Sequence, residues 1–148
     1  MEMTQAGGSF QIVRIYLKDV SFEAPGGHHS FTHDWKPEIT IETDVAAMQI
    51  AEDMHEVSTR ITVTAENGGT TAFMAEAVQA GIFRLNGFDA AMQDRILHTV
   101  CPNALFPYLR EVLDSIAVKA SFPALMLDPI NWDALYTDLM RKSGRLPG

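Results

Sequence analysis

The stretch HEVSTRITVTAENGGTTAFMAEAVQAGIFRL, residues 55–85, determines the predicted fold class. In its first half the apolar side chains Val57, Ile61, Val63 and Ala65 all fall at odd-numbered positions, and every even-numbered position is polar. This alternation is typical of a strand with one buried face. The Asn-Gly pair at residues 67–68 favours the positive φ angles of a tight hairpin, so the second half is predicted to return as an antiparallel strand. Its apolar residues fall on both parities, which predicts that both of its faces are covered.

Two further strands are predicted before this hairpin. In residues 10–24, one parity carries Phe10, Ile12, Tyr16, Val20 and Phe22, and the other carries Val13, Ile15 and Leu17. A strand covered on both faces along its first half is expected to show this pattern. Residues 37–45, PEITIETDV, are apolar on one parity only and predict a one-sided strand. Residues 46–54 are compatible with a helical turn.

Helical periodicity replaces strand periodicity after residue 89. A single stripe at spacings of three and four contains Leu105, Leu109, Val112, Leu113, Ile116 and Ala120. It predicts a helix of about five turns that begins at Pro102–Asn103, with Asn103 as its cap, and is distorted by Pro107. Residues 90–100 are then a separate short helix that stops at Cys101. After an apolar linker, Asn131 caps a last helix. Four antiparallel strands followed by two principal helices indicate an α+β fold.

Length and composition predict one domain of ordinary size. We expect a disordered arm over residues 1–9, a single domain over 10–140 and a short flexible tail over 141–148. The formal net charge of −8 disfavours nucleic acid as a partner. No apolar run approaches the roughly 20 residues of a membrane helix, so no membrane insertion is expected. A single cysteine and an N-terminus unlike a signal peptide favour the cytoplasm.

Two groups of side chains are candidates for chemistry. Cys101 lies near a predicted helix start and three residues after His98, which is a weak nucleophile–base pattern. Because isolated cysteines are commonly buried and inert, a structural role is favoured. His28, His29 and His33 supply ligands suited to zinc, but a flexible loop rarely brings them together on one ion. No nucleotide, phosphate or hydrolase motif occurs, so we predict no cofactor, no metal and no enzyme.

The eight Met, eight Phe and the apolar linker leave an excess of apolar side chains for the surface. Two interpretations remain open at this point. One is an interface between subunits, and the other is a surface that binds extended apolar chain with little sequence preference.

Five segments resemble the SecB protein-export chaperones, and the resemblance is nearly collinear from Phe10 to about Leu139. The segments are FQIVRIYLKDVSFEAP (10–25), HDWKPEITIETD (33–44), TAFMAEAVQAGIF (71–83), CPNALFPYLREVLDSIAVKASFP (101–123) and LDPINWDALY (127–136). The resemblance implies a four-stranded antiparallel sheet with two helices on one face, assembled as a homotetramer that is a dimer of dimers. It also implies an ATP-independent holdase for protein export, which keeps unfolded secretory precursors competent for translocation and delivers them to the SecA translocase.

The resemblance further implies two sites. The SecA-binding patch corresponds to Asp19, Glu23, Met74 and Glu76, where Met74 replaces the usual Leu. The groove for unfolded clients corresponds to Trp35, Ile39, Ile41, Leu125, Leu127 and Tyr136. The family's acidic tail is replaced here by the basic RKSGRLPG, which puts a tail-mediated contact with SecA in doubt. Alternative functions are a chaperone of the same fold in a stress-induced toxin–antitoxin system and a small thiol enzyme that uses Cys101.

Overall fold

The computed structural model describes residues 2–5 and 7–144, and side chains from residue 7 onward. Its strands are β1 (Glu2–Gln5), β2 (Gly8–Glu23), β3 (Pro37–Ala51), β4 (Met54–Asn67) and β5 (Thr70–Asn86). Its helices are α1 (His29–Thr32), α2 (Ala90–His98), α3 (Val100–Lys119) and α4 (Trp132–Lys142). No helix within the described residues is long and apolar enough to cross a membrane.

The strands form one antiparallel sheet in the order β1-β2-β5-β4-β3. The four long strands confirm the predicted sheet, and the short β1 adds an edge strand along the first residues of β2. Gly68 and Gly69 both have positive φ and form the two-residue turn between β4 and β5. The helical turn considered for residues 46–54 is wrong, because β3 continues to Ala51 and β4 begins at Met54.

One face of the sheet is covered by helices, and the other, here called the open face, is not. In β4 the odd-numbered side chains are buried and the even-numbered ones are half-buried or exposed. The predicted burial of Val57, Ile61, Val63 and Ala65 is therefore confirmed. The buried set packs under α3, whose residues Leu105, Leu109 and Leu113 are fully buried.

The prediction that both faces of β2 are covered along its first half is wrong, because the strand contains two register shifts. They lie between Ile12 and Arg14 and between Leu17 and Asp19. Each shift inserts one extra residue, so the parity of the side chains changes there. Ile15 and Leu17 thus join Phe10 on the helix-covered face.

The pairing partners in β5 locate each side chain of β2. The partners of Phe10, Ile12, Ile15, Leu17, Val20 and Phe22 are all odd-numbered residues of β5, which lie on the helix-covered face. Tyr16 pairs with Ala80 instead, on the open face. The apolar residues of β2 therefore lie mainly on one face.

The helices differ from the prediction in number and in their boundaries. α2 ends at His98 and α3 begins at Val100, with Thr99 rather than Asn103 in the capping position. Pro102 lies in the first turn, where a missing amide removes no intrahelical bond, and Pro107 lies within the helix as predicted. The side chain of Asn131 accepts a hydrogen bond from the Ala134 amide at 3.0 Å, which confirms the predicted cap of α4.

The predicted chain ends also differ from the structure. Within the expected arm 1–9, residues 2–5 form β1 and β2 begins at Gly8. Within the expected tail 141–148, Arg141 and Lys142 complete α4, and residues 145–148 lie outside the described part of the chain.

Candidate functional site

Five aromatic side chains converge where α3 leads into the crossover, residues 120–131. This aromatic cluster consists of Phe22, Phe31, Trp35, Phe73 and Phe122. The ring centroid of Phe122 lies 4.8 Å from Phe73, 5.1 Å from Phe31 and 5.2 Å from Trp35. Phe73 and Phe122 are buried, whereas Phe31 is 55% exposed. The cluster thus joins the core to an exposed aromatic surface.

Local backbone structure places the central ring of the cluster. Ser121 adopts a positive φ of 71° just after α3, and the Phe122 amide then donates to the Ala117 carbonyl at 3.0 Å. This is the hydrogen-bond pattern of a helix C-terminus that turns back on itself. It directs Phe122 onto the sheet beside Phe73 instead of outward.

Asn67 at the end of β4 holds the loop that carries Trp35. Its side-chain amide donates to the Asp34 carbonyl at 2.9 Å, and its side-chain oxygen accepts from the Lys36 amide at 2.8 Å. The Asn67 side chain is almost completely buried, so both hydrogen bonds are shielded from water. Trp35 is thereby held against Phe122.

Beyond the aromatic cluster, the crossover alternates between side chains that pack on the core and side chains exposed to solvent. Leu125 is half-buried and packs against the larger hydrophobic core, and Leu127 is buried within that core. Met126 between them is exposed, and its amide donates to Oδ1 of Asp114 on α3 at 2.9 Å.

The six residues predicted for the client groove occupy three environments. Trp35 and Leu125 lie at or beside the aromatic cluster, where they are partly accessible. Ile39 and Ile41 lie on edge strand β3, with 41% and 46% of their surface exposed. Leu127 and Tyr136 are buried, so their side chains stabilise the fold of this chain.

Tyr136 lies apart from the aromatic cluster. Its hydroxyl donates to Oδ2 of Asp94 at 2.7 Å, and its ring stacks on His98. It lines a separate cleft of about 280 Å³ between β3 and α4, which Val45 also lines. The structure therefore does not bring Tyr136 together with Trp35.

The residues predicted for the SecA-binding patch lie together on the open face of the sheet. Asp19, Ser21 and Glu23 of β2 pair in register with Val78, Glu76 and Met74 of β5. We call Asp19, Glu23, Met74 and Glu76 the acidic patch.

Charge is distributed unevenly within the acidic patch. Glu76 accepts a hydrogen bond from Thr62 at 2.8 Å and lies 3.9 Å from the Arg60 guanidinium. Among the described residues, Asp19 and Glu23 form no ion pair. These two exposed carboxylates therefore carry the net negative charge of the patch.

A polar bridge beside the acidic patch was not predicted from the sequence. Tyr16 donates a hydrogen bond to the Glu56 carboxylate, and Lys18 pairs with the same group at 2.7 Å. The hydrogen bond to Glu56 and burial raise the pKa of Tyr16 to about 12, while Lys18 and then Tyr16 lower the pKa of Glu56. The bulge between Leu17 and Asp19 contains Lys18.

Phe31, Phe73 and Phe122 were also absent from the predicted groove. Phe73 and Phe122 lie inside segments that resemble the family. Aromatic side chains in those segments were the one sequence signal that could have added them to the predicted groove. Their mutual contact spans 49 residues and leaves no trace in local periodicity. Phe31 had no such signal, because it lies on the short helix α1, between the resembling segments that end at residue 25 and resume at residue 33.

The environments of Cys101 and the loop histidines favour structural roles. Cys101 has no exposed surface, and burial raises the pKa of its thiol well above the usual range. A buried neutral thiol is a poor nucleophile. The rings of His29 and His33 stack at 3.8 Å, and no group of three or more potential metal ligands occurs in the described part of the chain.

The comparisons with known proteins agree with this architecture. The family described as "Preprotein translocase subunit SecB" matches residues 3–143. Among solved structures, the chain resembles the Mycobacterium tuberculosis Rv1957 SecB-like chaperone, solved in complex with a ChAD peptide from the Rv1956 HigA1 antitoxin. That similarity has a TM-score of 0.65 and 18% identity, over 82% of this chain and 90% of the other.

A second structure, a protein of unknown function from Streptococcus agalactiae, is more distant, with a TM-score of 0.40 and 9% identity over 83% of this chain and 99% of that one. The family match covers nearly the whole chain, and the first solved structure has the same fold. The chain belongs to the SecB family of chaperones.

Proposed function

We propose that this chain is an ATP-independent holdase that binds unfolded secretory precursors in the cytoplasm and delivers them to the SecA translocase. The observation that carries the proposal is the aromatic cluster, in which the exposed ring of Phe31 continues a buried core. An exposed aromatic surface of this kind gains free energy when it is covered by apolar chain. Folded proteins bury most of their apolar side chains, so this aromatic surface is expected to bind unfolded chains in preference to folded ones.

Edge strand β3 supports the same proposal. Within the described residues it pairs with β4 alone, which leaves its other edge free over residues 37–51. An extended client segment is able to hydrogen-bond to such an edge through its main chain, whatever its sequence. Ile39 and Ile41 then offer apolar contact to every second client side chain.

The acidic patch is the proposed docking surface for SecA. Asp19 and Glu23 lie on the open face, whereas the aromatic cluster lies on the helix-covered face. Separation by the thickness of the sheet allows a client and the translocase to be bound together. Exposed carboxylates on a protein of net charge −8 attract a basic surface and raise the rate of encounter.

Self-association as a dimer of dimers is part of the proposal. Leu17 of β2 and Tyr108 of α3 are 44% and 51% exposed and line one apolar cleft of about 370 Å³. A second subunit packed there would remove this apolar surface from water. Light scattering at micromolar concentration is expected to give the mass of four chains, and a monomer would contradict this part of the proposal.

A second candidate function is a chaperone for an antitoxin. It is favoured by the solved complex of the similar SecB-like chaperone with an antitoxin peptide. Its fold and its apolar binding surface would be the same, and only the client and the delivery partner would differ. Genes that neighbour this one would distinguish the two, because an adjacent toxin–antitoxin pair favours the second function.

The test is capture of an unfolded client without nucleotide. A chemically denatured protein is diluted into buffer with the purified chain, and aggregation is followed by light scattering with and without ATP. Equal suppression in both conditions is expected. Aggregation as fast as in buffer alone would refute the holdase proposal. Direct binding of the loaded chain to purified SecA and to a purified antitoxin then distinguishes delivery from the antitoxin role.

A further inference from the structure

His55 is a buried histidine at the contact between α2 and the sheet. It lies near the start of β4, and only 4% of its surface is exposed. It belongs to the helix-covered face, as Val57 does, and pairs in register with Phe83 of β5. Ile96 and Leu97 of α2 pack in one apolar cluster with Val57 and Phe83. An ionisable imidazole therefore lies where α2 meets an apolar part of the sheet.

The His55 ring lacks the hydrogen-bond partners that a charged imidazole needs. Its Nδ1 has no partner within the described part of the chain, and its Nε2 lies 3.4 Å from the side-chain amide nitrogen of Gln93 on α2. A neutral ring accepts from that amide through Nε2. A protonated ring carries an N–H group at both positions, so Nε2 would face another donor. Rotation of the Gln93 amide would supply one acceptor and still leave Nδ1 unpaired.

The charges around His55 do not compensate for a proton on its ring. Asp53 favours protonation, but its carboxylate also lies 3.4 Å from the Arg84 guanidinium. Burial outweighs this attraction and lowers the pKa of His55 from its ordinary value of 6.5. The side chains that pair with His55 or face it from β3, β5 and α2 carry no charge: Gln49, Phe83 and Gln93. The folded chain therefore favours the neutral ring.

We propose that α2 is an acid-sensitive flap, which protonation of His55 releases from the sheet so that the apolar cluster beneath it becomes exposed. α2 suits this role because it is a separate helix of nine residues, Ala90–His98, joined to α3 through Thr99. Short elements of this kind open locally at a lower cost than the whole fold. This inference goes beyond the proposed function and holds whether or not the chain is a holdase.

The direction of the pH dependence follows from the two states of the flap. In the open state water solvates the ring of His55, which then has an ordinary pKa of 6.5, whereas burial in the closed state lowers that pKa. The open state therefore binds more protons, and the closed state loses stability as the pH falls below 6.5. This loss ends below the lowered pKa of the closed state. Acid thus favours the open flap.

Cys101 is a built-in reporter of this opening. Its side chain has no exposed surface and lies in the same cluster as Ile96 and Leu97. The purified full chain is treated with dithiodipyridine, which reacts with thiols in acid as well as at neutral pH, from about pH 7 to about pH 5. The labelling rate is divided by that of the urea-unfolded chain at the same pH. This range lies above the ordinary pKa of Glu56, 4.5, so the protonation of Glu56 does not contribute.

We expect the normalised labelling rate of the parent to rise by up to about tenfold for each pH unit below 6.5. His55→Phe and His55→Gln cannot be protonated there, so both are expected to give a flat profile. Gln93→Glu keeps His55 but places a carboxylate opposite Nε2, which stabilises the protonated ring in the closed state and is expected to reduce the slope. His98→Gln is the matched control, because His98 lies on the same helix and its Nδ1 contacts the Asp94 carbonyl at 2.9 Å. It should follow the parent.

Each outcome supports or overturns the flap. A rise in the parent that both His55 variants abolish and that His98→Gln retains supports it. A parent rate that does not change with pH overturns it, and so does an equally steep rise in His55→Gln. If the His55 variants do not fold at neutral pH, Gln93→Glu decides, because a slope equal to that of the parent excludes His55 as the sensor. A loss of the sheet circular dichroism over the same range also overturns the flap, because the opening would then be global.

Discussion

Tyr16 on β2 donates a hydrogen bond to the Glu56 carboxylate on β4, across the intervening strand β5. The small side chain of Ala80, which pairs with Tyr16, leaves room for the ring to cross β5. Lys18, displaced by the bulge, reaches the same carboxylate. The bridge therefore connects β2 and β4, the two strands on either side of β5, next to the acidic patch.

The Tyr16–Glu56 hydrogen bond predicts an alkaline loss of stability. Because the pKa of Tyr16 is raised to about 12, the bridge stabilises the fold fully below the ordinary tyrosine pKa of 10.0 and loses that contribution as the pH rises toward 12. Tyr16→Phe is expected to lower the free energy of unfolding near neutral pH by about 1–2 kcal/mol. It should also flatten the alkaline decline. Urea unfolding over this pH range measures both, and an unchanged decline would contradict the assignment.

The same bridge predicts an acid dependence through Glu56. Its pKa is lowered by Lys18 and Tyr16, so its contribution is present above the ordinary value of 4.5 and is lost as the pH falls through the lowered value. Glu56→Gln is expected to weaken the acid decline in urea midpoint. Glu42→Gln replaces an exposed carboxylate of β3 with a carboxamide and is the control. It should leave the acid decline in urea midpoint as it is in the parent protein.

Cys101 is predicted to be chemically inert in the native protein. Its thiol is fully buried and its pKa is raised, so iodoacetamide should modify it only after unfolding. Cys101→Ala is expected to cost about 1 kcal/mol of stability through lost packing and to leave client capture unchanged. Rapid labelling of the native chain near neutral pH, followed by mass spectrometry, would instead favour the thiol enzyme.

The two leucines of the crossover, Leu125 and Leu127, are predicted to contribute unequally to the stability of the fold. Leu127→Ser places a hydroxyl in the core that also contains Phe122 and Trp132, and it is expected to lower the free energy of unfolding by about 2–5 kcal/mol. Leu125→Ser, at a half-buried position, is expected to cost less. Thermal unfolding of the two single variants tests this order, and equal losses would show that the crossover is not held as described.

The acidic patch predicts a salt-dependent interaction with SecA. A double variant, Asp19→Lys and Glu23→Lys, reverses the two carboxylates of the patch that form no ion pair among the described residues. It leaves Glu76 unchanged, because Glu76 accepts a hydrogen bond from Thr62 and pairs with Arg60. At low salt the association rate is expected to fall by roughly fivefold or more, with a shallower salt dependence. Client capture should be unchanged.

The matched control for this pair is Glu38→Lys with Glu42→Lys. It changes the net charge equally on the same open face, at the far edge strand. If the control weakens SecA binding as much as the patch variant, the effect comes from total charge and the site is wrong. If neither variant weakens binding, SecA does not dock on this face.

Some features of this protein followed from the sequence alone. The alternation of β4, the glycine turn after it, the stripe of α3 and the Asn131 cap depend on residues close together in the chain, and local periodicity and hydrogen bonding determine them. Family membership was likewise evident from the string CPNALFPYLRE, residues 101–111, and from the segments around it.

The tertiary structure alone decided which face each residue of β2 occupies and which aromatic side chains meet. A bulge changes the parity of every later side chain, and its position depends on pairing with residues of β5 that lie 59 to 71 positions further along the chain. Phe22, Phe31 and Phe122 come together only because α3 packs across the sheet and then turns back at Ser121. Such contacts depend on packing between distant segments, so periodicity within one segment carries no record of them.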